Sequence, residues 1–84
     1  MKPAAVLNTL TDILTKRVKE YFDEGFEYCP VREQPEYLSM VEARALQDAM
    51  TQKLRAEYPK VKVEIVNLHF GQGYGFMAFR GDTF

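Results

Sequence analysis

The sequence predicts a small α+β domain in which two amphipathic helices pack on an antiparallel sheet built on a C-terminal β-hairpin. Two helical stripes of apolar residues, one before and one after a Pro-containing connector, supply the α component. A final alternating stretch, Val61 to Arg80, supplies the β component. The order is α, a connector with strand character, α, β, β, and 84 residues leave room for one domain only.

In the first helix, Pro3 suits the opening turn, where its missing N–H is not needed. Leu7, Leu10, Leu14, Val18 and Tyr21 follow at spacings of three and four, with Val6, Ile13 and Phe22 beside them. Asp12–Lys16, Lys16–Glu20 and Lys19–Asp23 are opposite charges four residues apart. Gly25 fits a left-handed C-cap, so the helix is expected over about 4–24. Residues 26–38 contain Pro30 and Pro35 and lack a helical period. Alternation of Phe26 and Tyr28 with Glu27 and Cys29 admits a short edge strand over 26–31, and Pro30 excludes a central one.

Ser39 and Glu42 form a capping-box pattern that opens the second helix. Its inward stripe is Ala43, Leu46, Ala49 or Met50, and Leu54, with Tyr58 as a candidate to extend it, and the helix runs to about Glu57 before Pro59 stops it. Val61, Val63 and Ile65 then alternate with Lys62 and Glu64, and Gly75, Met77 and Phe79 with Tyr74, Phe76 and Ala78. A turn at Gly71-Gln72-Gly73 joins the two runs. The expected inner face carries Val61, Val63, Ile65, Met77 and Phe79; the expected outer face carries Tyr74, Phe76, Lys62 and Glu64.

Residues 72–79, Q-G-Y-G-F-M-A-F, resemble the octapeptide of RNA-recognition-motif domains, with Gln72 in place of its basic residue and Met77 in place of Val. Residues 63–68 resemble the companion hexapeptide, with Glu64 where an aromatic stands in that family. The resemblance implies that Tyr74 and Phe76 are outward platforms for stacked bases. It covers about 16 residues and departs in topology, because a turn rather than a helix and a strand separates the two motifs.

The net charge of −1 argues against binding a nucleic-acid backbone by bulk electrostatics. Residues 20–42 nevertheless carry −6, between flanks of +3 and +2. In this acidic belt Glu24, Glu27, Glu33 and Glu36 interleave with Phe26, Tyr28 and Tyr37, a mixture that suits a basic or nucleic-acid-handling protein partner. One cysteine excludes an intrachain disulfide and suits a reducing cytoplasm, and one histidine with one cysteine does not complete a structural metal site. Nothing brings Cys29 and His69 together as a nucleophile pair, and no catalytic constellation, cofactor or metal is expected. No apolar run has the length of a membrane span.

The expectation is a non-enzymatic, cytoplasmic accessory or inhibitor protein, of the kind phages also encode. It would contact a protein partner through Tyr74, Phe76, Glu24, Glu27, Tyr28, Glu33, Glu36 and Tyr37. Single-stranded RNA binding on the hairpin and a structural homodimer with paired hairpins are the alternatives.

Overall fold

The computed structural model describes residues 2–31, 38–68 and 73–81. Its elements are α1 (Ala4–Asp23), β1 (Tyr28–Val31), α2 (Met40–Arg55), β2 (Lys62–Asn67) and β3 (Tyr74–Phe79). The three strands form one antiparallel sheet in the order β1-β3-β2. Both helices lie against the same side of it, α1 over β1 and α2 over β2 and β3. This is the α+β architecture that the sequence predicts, with the connector contributing the third strand.

α1 buries Leu10, Leu14, Val18 and Phe22, each four residues from the last. Continuing that spacing selects Phe22 rather than Tyr21 for the core, so Tyr21 turns outward. The helix closes in a Schellman motif. Phe26 N–H donates to the Tyr21 carbonyl at 3.1 Å and Gly25 N–H to the Phe22 carbonyl at 3.0 Å. Gly25 has φ 101°, which a side chain would strain. The ion pairs of α1 reach across to the α2 side instead of running along the helix: Lys53 of α2 binds Asp12, and Lys19 binds Glu57, just past the end of α2, at 3.4 Å.

The capping box of α2 is complete. The Ser39 hydroxyl accepts from Glu42 N–H at 3.3 Å, and Ser39 N–H donates to Glu42 Oε1 at 3.1 Å. Glu42 also accepts from Lys2 N–H at 2.8 Å, which ties the start of the chain to this cap. The helix ends at Arg55, short of the expected Glu57. Pro59 disfavours helical backbone at the residue before it, and a turn closed by Val61 N–H on the Tyr58 carbonyl at 3.0 Å leads into the sheet.

Pro30 sits inside β1 opposite Met77. Arg80 N–H donates to the Glu27 carbonyl. By the alternation of an antiparallel ladder, Cys29 and Val31 then direct their backbone groups to β3, while Tyr28 and Pro30 direct theirs to the outer edge. The missing N–H of Pro30 therefore removes no ladder bond and blunts an exposed edge. At the other edge, Gln47 of α2 donates its side-chain amide to the Val63 carbonyl at 2.7 Å.

The largest difference from expectation is the face of β3. A turn over residues 71–73 would set Ile65 opposite Phe79, whereas Ile65 pairs with Phe76 and Val63 with Ala78. Leu68 N–H donates to the Gly73 carbonyl at 2.9 Å, so the last pair is Leu68 with Gly73, and residues 69–72 connect them. Changing the loop from three residues to four shifts the register by an odd number. Because side chains alternate, the faces of β3 are exchanged. Phe76 and Ala78 join the core with Val63 and Val61, and Met77 and Phe79 look away from the helices.

Two stability predictions follow from the helices. Thr15 is buried, and its hydroxyl makes no hydrogen bond among the described residues, whereas Thr11 donates to the Leu7 carbonyl. Thr15→Val keeps the shape and removes an unsatisfied polar group, so it should stabilise the fold by about 1 kcal/mol in urea unfolding. The backbone N–H groups of Lys2 and Ser39 hold the Glu42 carboxyl at about 2, below its ordinary value of 4.5. The lowered value means that its contribution is fully present above pH 4.5 and is lost as pH falls towards 2. Glu42→Gln should destabilise the fold at neutral pH and flatten the acid limb in that window, as read by circular dichroism against pH.

Candidate functional site

Among the described residues, both helices lie on one side of the sheet and no element covers the other. Three strands set its residues in rows. Tyr28, Phe79 and Lys62 form one row across the sheet, and Pro30, Met77 and Glu64 form the next. Tyr28 is 58% exposed; Phe79 and Met77 are half-buried. Lys62 and Glu64 pair at 3.1 Å along β2 and set a charged rim beside the apolar centre. Val66, also exposed, extends the apolar area along β2.

A shallow depression of about 300 Å³ lies at one end of this face, lined by Lys60, Lys62, Glu64, Phe79 and Gly81. Gly81 has φ 86°, and a Cβ there would meet the Lys60 carbonyl oxygen at 2.0 Å, so only glycine lets the strand leave the sheet this close to the Lys60 backbone.

The other exposed aromatic residues gather where α1 meets β1. The Tyr21 and Phe26 rings lie 5.3 Å apart at 40°, the apolar contact that accompanies a Schellman motif. Phe26 is 52% and Tyr21 39% exposed. Glu20, Glu24 and Glu27, close to them in sequence, are all exposed. Asp23 is engaged differently: its carboxylate accepts from the Tyr58 hydroxyl, pushing Tyr58 up to about 12. The Tyr58 ring also packs edge-on to Phe22 at 5.0 Å, which pins the end of α1 to the segment after α2.

Of the residues predicted to contact a partner, Glu24, Glu27 and Tyr28 lie exposed on the surface. Tyr74 and Phe76 do not. Phe76 is 1% exposed and among the largest fully buried side chains, and Tyr74 is half-buried against the core. The expectation that both face outward is corrected by the β2–β3 register. The stacking platform implied by the RNA-recognition-motif resemblance is therefore not formed by these two rings, since Phe76 would have to leave the core to meet a base. Glu33, Glu36, Tyr37, His69, Gly71 and Gln72 lie outside the described residues.

The sequence pattern places Phe79 and Met77 in the core and Tyr21 in the buried stripe, and so misses these three, although it does single out Tyr28. The signal that would have found the Tyr21–Phe26 pair was Gly25, since a glycine C-cap predicts contact between the residues flanking it.

Burial of Cys29 raises its thiol, with Arg17 acting weakly in the other direction, and a protonated buried thiol is not a nucleophile. Among the described residues no group of three His, Cys, Asp or Glu side chains is placed to hold a metal ion, and no helix is long and apolar enough to cross a membrane. Comparison with protein-family models, with curated proteins and with solved structures finds no match to this chain.

The exchange of faces predicts unequal costs for two aromatic truncations. Phe76→Ala should destabilise the fold by about 3–5 kcal/mol, as for other buried Phe truncations. Tyr28→Ala should cost less than about 1 kcal/mol, as for surface positions generally. Urea unfolding of both variants measures the difference; similar costs would contradict the register.

Proposed function

We propose that this chain is a non-catalytic accessory or inhibitor protein that docks on a protein partner through the open face of its sheet. The observation that carries the reading is the row of Tyr28 and Phe79 beside Pro30 and Met77, on the side that neither helix covers. An apolar, aromatic centre with a charged rim is the anatomy of a protein interface. Tyrosine is enriched among the residues that dominate binding energy, because one rigid ring contributes much contact area at little entropic cost. Lys62 and Glu64 largely neutralise each other at 3.1 Å, so the face has little charge with which to hold a phosphate backbone. This favours a protein partner over single-stranded RNA.

The experiment is affinity capture from the source lysate with the wild-type chain and with Tyr28→Ser/Phe79→Ser, both verified as folded by circular dichroism. The wild type should retain a protein that the double variant loses. Retention of every wild-type partner by the variant would refute the reading. Light scattering on the same two proteins identifies a second copy as the occupant if the wild type dimerises and the variant does not.

A further inference from the structure

An open hollow of about 450 Å³ lies between the helices, lined by Asp12, Thr15, Lys16 and Lys19 of α1 and by Lys53 of α2. We propose that it binds the phosphate group of a small phosphate-bearing ligand, with the Lys16, Lys19 and Lys53 ammonium groups and the Thr15 hydroxyl as donors. The site belongs to the helical layer and does not depend on the reading of the open sheet face.

The first observation is the Thr15 hydroxyl. Thr9, Thr11 and Thr51, the other threonines of the two helices, each donate to the carbonyl four residues back, at 3.0, 2.8 and 2.7 Å. Thr15 does not. It is 5% exposed, and its hydroxyl oxygen has no hydrogen-bond partner among the described residues. Buried polar groups of native folds are ordinarily satisfied, and an orphan points to a partner from outside the chain. Thr15 is also a wall of the hollow, where such a partner would sit.

The second observation is the disposition of charge. Residues 12, 15, 16 and 19 recur at spacings of three and four along one strip of α1, and Lys53 is held against that strip by Asp12. Lys16 makes no ion pair among the described residues. Lys19 and Lys53 pair with one carboxylate each, Glu57 and Asp12. An ammonium has three donors, so both lysines retain donors for a further acceptor. Three lysines against Asp12 and Glu57 leave a charge of +1. A phosphate monoester brings about −1.5 to −2 of charge and three acceptor oxygens, which suits several donors placed around it. Lysine is a recurrent phosphate ligand, acting as a point charge. The volume falls within the roughly 300–1,000 Å³ of small-ligand sites, with room beside the phosphate for the organic part of an ester.

The test is titration of the ¹⁵N-labelled chain with sodium phosphate at fixed pH, against sodium chloride at equal ionic strength. Phosphate should shift the amides of residues 12–19 and 53 saturably in the millimolar range, and chloride should not. Lys16→Gln, which breaks no ion pair, should weaken binding about two- to five-fold. Arg44→Gln removes the same charge about two and a half turns from Lys53, on the opposite face of α2, and should leave affinity within about two-fold. Thr15→Val should weaken binding about three- to ten-fold while stabilising the free fold, and Thr15→Ser, which keeps the hydroxyl, should stay within about two-fold of wild type. Asp12→Asn removes a repelling carboxylate and should tighten binding about two- to five-fold, a gain that loss of structure does not produce. No saturable shift beyond the chloride control at tens of millimolar phosphate, equal losses in Lys16→Gln and Arg44→Gln, or Thr15→Val binding as tightly as Thr15→Ser would each overturn the proposal. Glycerol phosphate in place of phosphate separates the two sources of the group: tighter binding assigns the hollow to a phosphate ester, and equal binding assigns it to free phosphate.

Discussion

The pairing of Leu68 with Gly73 is the contact on which the rest of this structure depends. It fixes β2 against β3 so that Ile65 meets Phe76 and Val63 meets Ala78. Phe76 is thereby delivered to the helices, and it is among the largest fully buried side chains. The same pairing sends Met77 and Phe79 to the opposite side, where Tyr28 and Pro30 of β1 lie alongside them. A slip of one residue would exchange these sets, exposing Phe76 and burying Phe79. Core and open face are two consequences of one register.

The surrounding devices hold that sheet in place and protect its edges. Pro30 blunts the edge of β1 without removing a ladder bond, and Gln47 occupies the Val63 carbonyl at the edge of β2. α1 is tied to α2 by Asp12 with Lys53 and to the segment after α2 by Lys19 with Glu57, and the end of α1 is fastened to Tyr58 through Phe22 and Asp23. These exposed ion pairs contribute little individually. Their structural consequence is that Lys19 pairs with Glu57 rather than with Asp23, while Glu20 and Glu24 face solvent.

What could be read in the sequence was what local chemistry determines. Gly25, Ser39 with Glu42, and Pro59 each mark a boundary by a mechanism confined to a few residues, and the helix limits follow within about two positions. The alternation of 61–65 and 74–79 shows that both segments are strands. It does not choose the face of β3, because Tyr74, Phe76 and Ala78 are as apolar as Gly75, Met77 and Phe79. That choice lies in the length of the loop, which glycines at both 71 and 73 leave ambiguous. Tyr21 and Phe22 pose the same problem on α1: adjacent aromatics satisfy the stripe equally, and packing selects Phe22. Tyr21, Met77 and Phe79 were consequently hidden behind two ambiguities of packing rather than behind any weakness of pattern.

The proposed contacts inherit this dependence, since Phe79 and Met77 lie on the side away from the helices only in the observed register. The most direct measurement is the pattern of interstrand Hα–Hα nuclear Overhauser effects, which are strong across the non-hydrogen-bonded pairs of an antiparallel ladder. The account predicts strong effects between Ile65 and Phe76 and between Val63 and Ala78. A strong effect between Ile65 and Phe79 in their place would contradict it, returning Phe76 to the surface and removing the open aromatic face.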